Sequence, residues 1–401
     1  MSGADRVSGF VNGAACLACG SARVERFLAL GGVPVFCNVL WSERAAAQAA
    51  PRGDLDLGIC ADCGHVYNLA FDPELVRYAE GYENSLHHSP RFQAYAEELA
   101  LDLRRRHGLD GKHVVEIACG QGDFLKLVCA GAGSVGTGFD PSFRGGEPGA
   151  NLAIRREYFG VSPLGRAPDL VCSRHALEHM DAPADFVHMM RDAVPAGSSP
   201  VYFCEVPNSL YSLRDGGVWD FIYEHVSYFN ARSLAACFER AGLRVTRTWE
   251  TFAGQFLCLE AIGESAPAAL APAQLATVPA GDDLLTMAAG LGDEVDRLLA
   301  HWRREFARIA QAGGRVAVWG SGSKGVTFLN LMGADGAIGV PVDINPAKHG
   351  LFLPGVGRQV VAPEALPGLD IALVLVMNPV YAQEIEGMVR GLGITAPVTG
   401  V

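Results

Sequence analysis

Four cysteines, two glycine-rich turns and a set of acid–histidine pairs are the parts of this chain whose types and spacing can do chemistry. Cys16 and Cys19, then Cys60 and Cys63, each stand in the form C-x-x-C-G. Two such knuckles place four thiolates around one point, and Gly20 and Gly64 let the backbone turn and donate N–H bonds to sulfur. Tetrahedral Zn²⁺ is the expected occupant, whereas a redox dithiol needs only one such pair. Four protein ligands leave no position for water, so the metal is structural, and His65 beside it is a bystander. The first turn follows V-V-E-I-A-C-G-Q-G-D at 114–123, and Asp140-Pro141 closes the next segment, 18 residues after Gly122. A turn without side chains lets a ligand press on backbone, and an acid at the second strand tip can take both hydroxyls of a ribose. The order E-x-A-x-G-x-G lacks the third glycine of the dinucleotide fingerprint.

The second turn, Gly320-x-Gly322-x-x-Gly325, does match that fingerprint, with Asp343 18 residues beyond it. On its own it suggests NAD, but Lys324 inside it suits the charge of a diphosphate at a helix N-terminus. Between the turns stand Leu177-Glu178-His179 and Tyr223-Glu224-His225-Val-Ser-Tyr228-Phe229. Tyr228 and Phe229 are expected in the core. Histidine is the side chain best poised to move protons near neutral pH.

These residues need large scaffolds. A chain of 401 residues forms two or three domains, and 49% hydrophobic with 19% charged residues gives substantial cores. The net charge, 32 − 44 = −12, with no Lys/Arg-rich run, argues against nucleic acid and anionic membrane surfaces as partners. No apolar run is long enough to span a bilayer, and the first ten residues lack a signal core, which predicts a cytoplasmic protein. The other seven cysteines (Cys37, Cys119, Cys129, Cys172, Cys204, Cys237, Cys258) sit in apolar surroundings and are expected to pack as small hydrophobes.

A helix is expected from about 78 to 108, with Tyr82, His87 and His88 at its polar start and Phe92, Tyr95, Ala96, Leu99 and Leu103 on one face. Strands are expected at 114–118, 136–139, 170–172, 201–206, 245–249 and 256–261, with a helix over 124–130. Such alternation predicts a parallel, doubly wound sheet with ligands beyond the carboxyl ends of its strands. An Ala/Pro-rich stretch at 264–281 marks a boundary, followed by an amphipathic helix carrying Leu291, Val295, Leu298, Trp302, Phe306 and Ile309. That stripe is read as core, with a dimer seam as the second reading. A second α/β unit begins with a strand over 315–319 and continues to a strand over 371–376. The fold class is therefore α/β: a zinc-binding module at 1–75, two Rossmann-like domains at 76–265 and 313–401, and a linker with a helix at 266–312.

The first turn resembles the motif of class I S-adenosylmethionine (SAM) methyltransferases, with Ala118 where that pattern has glycine. The three parts in this order resemble the nucleotide-sugar C-methyltransferases of deoxysugar biosynthesis. The segment at 223–229 is similar to that family's E-H-x-S-Y-F signature, and Leu177-Glu178-His179, the 320–325 turn and Asp343-x-Asn-Pro-Ala-Lys348 accompany it. The resemblance implies a SAM-dependent C-methyltransferase that removes a proton alpha to a ketone and methylates the resulting carbanion or enolate. The substrate implied is a dTDP-keto-deoxysugar, in antibiotic or other secondary-metabolite biosynthesis. It implies His225 as base, Glu224 orienting it or holding a sugar hydroxyl, His179 or Tyr223 polarising the ketone, and Tyr82 as an aromatic contributor. Glu116 would hold the methionine amine and Asp140 the ribose, with Ala118, Gly120, Gly122, Phe124, Pro141 and His175 lining the cofactor. Ser323, Lys324, Asp343 and Lys348 would bind the nucleoside diphosphate. The competing readings are an NAD(P)-dependent or bifunctional keto-sugar reductase, a C-methyltransferase of a non-sugar natural product, and a SAM-sensing scaffold. Either a monomer or a homodimer is compatible with the pattern.

Overall fold

The computed structural model describes residues 9–11, 13–76, 88–214, 216–263 and 274–401. Tyr82 and His87 lie outside them. The N-terminal module is an antiparallel sheet of β1 (Gly9–Phe10), β2 (Val24–Pro34), β3 (Arg52–Cys60) and β4 (Val66–Asn68), in that order, with α1 (Arg44–Gln48) between β2 and β3. The two knuckles stand at its end. In each, the glycine N–H returns to a cysteine carbonyl: Gly20 to Cys16 and Gly64 to Cys60, both at 2.8 Å.

The second unit opens with α2 (Pro90–His107); the earlier part of the expected helix, 78–87, lies outside the described residues. Ser89 caps it by accepting the Phe92 N–H at 3.3 Å, and proline at the first position fixes the entry. The five apolar residues of its predicted face are all buried. Then come β5 (His113–Ile117), α3 (Asp123–Val128), β6 (Val135–Phe139), β7 (Leu152–Arg155), β8 (Leu170–Arg174), α4 (Pro183–Asp192), β9 (Val201–Pro207) and α5 (Ser209–Arg214). After them β10 (Ser227–Tyr228) leaves this unit and pairs antiparallel with β4, becoming the fifth strand of the N-terminal sheet. Helix α6 (Ala231–Arg240), β11 (Leu243–Thr251) and β12 (Phe256–Gly263) complete the domain.

Its sheet has the order β11-β12-β9-β8-β5-β6-β7. Six strands run parallel, and β12 alone runs against its neighbours β9 and β11. The short half-exposed β7 was not legible as a strand, because its four residues carry no clear alternation. Strand order reverses between β5 and β8, so the crevice beyond their carboxyl ends is the expected ligand position.

Helix α7 (Gly281–Gln311) has 31 residues and so runs about 46 Å. Leu291, Val295, Trp302, Phe306 and Ile309 are buried and Leu298 partly so, in one core with Leu28 and Leu57 of the N-terminal module and Val316 and Phe328 beyond. The stripe is internal, not a dimer seam, and the helix is part of the core instead of a tether. The last unit is a parallel sheet of order β14-β13-β15-β16: β13 (Arg315–Trp319), α8 (Ser323–Met332), β14 (Gly339–Val342), β15 (Ile371–Val376), α9 (Ala382–Gly391) and β16 (Val398–Gly400). The seven remaining cysteines are buried and unpaired. No helix among the described residues is long and apolar enough to cross a membrane.

Candidate active site

The thiol sulfurs of Cys16, Cys19, Cys60 and Cys63 lie within 4.8 Å of one another, with Cys16–Cys63 and Cys19–Cys60 at 3.6 Å. Zn–S bonds of about 2.3 Å at tetrahedral angles require S···S edges of about 3.8 Å, so the donor set fits the ion. His65 is fully buried between Tyr67 and Phe229, with no hydrogen bond to either ring nitrogen, and it is not among the ligands.

At the first turn, Ala118 has φ 57°, a left-handed conformation that costs a residue with a side chain roughly 1–2 kcal/mol. The glycines divide the remaining work. A Cβ on Gly120 would meet nothing within 4 Å, leaving room for a ligand, whereas one on Gly122 would lie 2.5 Å from Ile154 of β7. Asp140 accepts the Gly120 N–H at 2.8 Å and the Ser142 N–H and O–H at 2.8 and 2.6 Å, so it shapes the turn it was expected to serve. Glu116 is 3% exposed, and its Oε2 has no hydrogen-bond partner. Burial pushes its carboxyl up to about 8, with the Arg174 guanidinium opposing. The Leu125 backbone bonds to this carboxyl, and its remaining buried oxygen is what a cationic ligand amine would complete. Phe124 is buried under the Arg174 guanidinium, 4.1 Å from ring centre, and Pro141 is exposed at the rim.

Beyond β8, His175 has φ 51° and lies between two buried acids. Its Nε2 is 2.7 Å from Glu205 Oε1, without hydrogen-bond geometry, and its Nδ1 is 3.6 Å from Glu178 Oε1. Burial disfavours its charge, but Glu178 and Glu205 outweigh it and raise the imidazole to about 9. His175 is thus held in the wall between its two acids.

The structure brings His179 and His225 together, their rings perpendicular with centroids 4.8 Å apart. The third member is Glu178, which no expectation had placed there. One carboxylate oxygen of Glu178 and one nitrogen of each ring lie within 4.8 Å of one another. Glu178 is 1% exposed with Oε2 unpartnered, and His225 has a buried, unpartnered Nδ1. Burial, with His179 adding, depresses the His225 imidazole to about 3, and Glu178 opposes that shift. His179 Nδ1 lies 2.9 Å from the Glu224 carbonyl; a carbonyl only accepts, so the proton sits on Nδ1 and Nε2 carries the lone pair.

Two expected roles change. The Glu224 carboxylate accepts the Cys37 N–H at 2.8 Å and so faces the N-terminal module, leaving Glu178 as the acid grouped with His225. Tyr223 is buried flat against Gly53, where a Cβ would lie 2.2 Å from its ring, and its hydroxyl accepts the Asp72 N–H at 2.8 Å. It anchors the signature segment to the N-terminal module instead of polarising a ketone. Tyr228 and Phe229 are core, as expected.

From the C-terminal domain, Lys324 reaches across to Asp220 as an ion pair, over the Tyr211 ring. Ser323 opens α8, and Asn38 of the N-terminal module stands 3.6 Å from where a Gly322 Cβ would be. Asp343 and Lys348 are both buried and spend themselves locally. Asp343 accepts from Ser321 N, Asn345 N and Lys348 Nζ at 3.0, 2.9 and 3.0 Å. They brace the turn, as Asp140 does in the other domain, and neither side chain is free to meet a substrate.

Residues 90–248 match the family described as a methyltransferase domain, and residues 280–391 match the C-methyltransferase C-terminal domain. The chain is similar to C-methyltransferase NovU of Streptomyces niveus, 26% identical over 92% of this chain and 90% of that protein. Among solved structures, an S-adenosylmethionine-dependent methyltransferase from Mesorhizobium loti matches at 16% identity, 42% of this chain, 99% of its own and a TM-score of 0.33. Magnesium protoporphyrin IX methyltransferase from Synechocystis, with bound SAH, matches at 18% identity, 47% of this chain, 91% of its own and a TM-score of 0.34. The two matched domains define a methyltransferase. More particularly, the chain is a SAM-dependent C-methyltransferase.

Proposed function

We propose that the enzyme removes the proton alpha to a ketone and methylates that carbon on a nucleotide-linked keto-sugar. The observation that carries this reading is the Glu178–His179–His225 group, a buried acid beside two half-buried histidines. When bound, SAM supplies an electrophilic methyl group; Glu116 would hold its amine, Asp140 its ribose, and the turn from Ala118 to Gly122 its body. His225, neutral at working pH, takes the α-proton onto a ring nitrogen. The enolate left behind is the carbon nucleophile that such a methyl group requires. Glu178 stabilises the imidazolium that forms, and His179, oriented by its Nδ1 bond to the Glu224 carbonyl, lines the same pocket. Lys324 exchanges Asp220 for the diphosphate. The N-terminal cysteines hold Zn²⁺, which closes the module and takes no part in the chemistry.

A reductase using the C-terminal turn is disfavoured, because Asp343, the acid a dinucleotide ribose would need, is held in an ion pair with buried Lys348. The test is proton exchange. With a dTDP-4-keto-deoxysugar in D₂O, the enzyme should wash deuterium into the α-carbon without SAM and release S-adenosylhomocysteine with it. Consumption of NADPH instead, with no exchange, overturns the proposal.

A further inference from the structure

Arg44, Arg315 and Arg358 line one cavity of about 270 Å³ at the seam between the N-terminal module and the C-terminal domain, against an apolar wall that includes Val340, Pro341 and Leu369. The fold gathers them from distant parts of the chain. Trp41 and Phe352 exchange backbone bonds at 3.0 and 2.8 Å, and the Gly355 N–H donates to the Ala47 carbonyl at 2.8 Å. Helix α1 therefore docks on the loop before Arg358 and carries Arg44 with it, over the Phe352 ring at 5.5 Å from its centre. Arg315 opens β13. Arg358 is partly buried, and its Nε and Nη2 donate to the Gly339 carbonyl at 3.2 and 2.9 Å, which fixes the plane of its guanidinium.

A counter-charge is missing. No acid lines the cavity, and among the described residues none of the three arginines pairs with a carboxylate. Burial, with the charges of Arg44 and Arg315 adding, holds the Arg358 guanidinium below its usual range. In a chain of net charge −12, three cations crowded without an anion are a cost that a ligand would offset. Charge, shape and size define that ligand. A guanidinium fork matches two phosphate oxygens at once, and three of them suit an anion with more than one charge. The apolar wall excludes water and strengthens the attraction. The volume falls below the roughly 300–1,000 Å³ of sites for larger organic ligands, so it suits a diphosphate and not a nucleotide sugar. Its place is also separate from the lysine-bearing turn. Arg315 and Gly339 stand at the amino ends of β13 and β14, and β13 has 5 residues, so the turn at Gly320 lies about 17 Å away at the other end.

We propose that this cavity binds a small, multiply charged phosphate anion of diphosphate size, which clamps the N-terminal module to the C-terminal domain. The site is independent of the chemistry proposed above.

The experiment titrates pyrophosphate, and separately dTDP, into the full-length protein by calorimetry. A pyrophosphate site that survives Lys324→Ala is expected. Arg44→Gln and Arg315→Gln, both at exposed positions, should each weaken it about 10–100-fold, the value of a charge-assisted bond. Without ligand, Arg315→Gln should raise Tm by relieving like-charge crowding, and pyrophosphate should raise the Tm of the wild type more than that of the variant. An arginine with a merely structural role would lower Tm on removal and leave pyrophosphate binding unchanged. If pyrophosphate fails to bind the wild-type protein at millimolar concentration, or binds both arginine variants as well as the wild type, the proposal is overturned. Loss in Lys324→Ala with retention in the arginine variants puts the anion at the C-terminal turn and overturns it equally. If dTDP binding depends on Arg44 and Arg315, the phosphate belongs to a nucleotide and the small-anion assignment falls.

Discussion

At the scale of the residue, the site is a set of buried charges held in tension. Glu116 has its carboxyl raised from an ordinary 4.5 to about 8, so the folded protein prefers it protonated. The sign follows directly: stability is lost as pH rises from about 4.5 through about 8, because the unfolded chain ionises first. Glu116→Gln should therefore raise Tm, by more at pH 8 than at pH 5, while weakening S-adenosylhomocysteine; equal Tm values at both pH values would contradict this. Binding of a cationic amine should also release a proton below about pH 8, which calorimetry in buffers of different ionisation enthalpy reads directly. The proton-transfer group is separable in the same way. His225→Ala should cut turnover about 10²–10⁴-fold with cofactor binding intact. Glu178→Gln should cost about 10–100-fold through the imidazolium it no longer stabilises. A Glu224→Gln variant that lost more than Glu178→Gln would return Glu224 to the role first expected of it.

At the scale of the element, one short strand links metal, module and chemistry. The segment from Tyr223 to Asn230 was legible as a signature, and its histidine was found by residue type alone. Its other parts were not legible. Tyr223 lies on Gly53 and Tyr228 pairs through β10 with β4, both contacts across more than 150 residues. A sequence carries periodicity within a strand or helix, so β5, β6 and β8 were expected where they are, to within a residue or two. It does not carry which distant backbone a two-residue strand will join. Glu178 was missed for a related reason: it stood only as part of an accompanying motif, and the fold alone brings it beside His225. The four-cysteine cluster was legible because its spacing is itself the geometry. Asn230 donates to the carbonyls of Cys63 and Gly64 at 3.3 and 2.8 Å, so the knuckle holds the end of the catalytic segment. Metal binding free energy of about 10 kcal/mol or more is folding free energy in such modules. Protein purified without chelators should contain one zinc per chain. Cys60→Ser should lose both the metal and turnover while the SAM domain still binds S-adenosylhomocysteine; zinc-free protein with full turnover would refute the coupling.

At the scale of the whole molecule, the units share one apolar core, and polar contacts join them around it. Gln255 and Asn378 exchange paired amide bonds at 2.6 and 2.9 Å, Ser89 at the start of α2 donates to Glu384 of α9 at 2.8 Å, and Lys324 is paired with Asp220. The long helix α7 fixes the N-terminal and C-terminal units in one core, so these contacts are set by the fold and need no ligand to form. A lysine held by one carboxylate is a poor structural strut, because the pair is partly exposed and such pairs contribute little to stability. On the proposed reading it is a handle: a diphosphate, with more charge and more acceptors, would replace Asp220 on the cation. This fixes opposite signs for two substitutions. Titrating dTDP into protein loaded with S-adenosylhomocysteine, Lys324→Ala should weaken binding about 10–100-fold, the value of a charge-assisted bond. Asp220→Asn should tighten it, since the competitor for the lysine is gone. If both substitutions weaken dTDP equally, the pair is a strut and the nucleotide is held elsewhere. If NAD(P)H binds in place of dTDP, the bracing of Asp343 by Lys348 has been misjudged, and the C-terminal turn is a cofactor site after all.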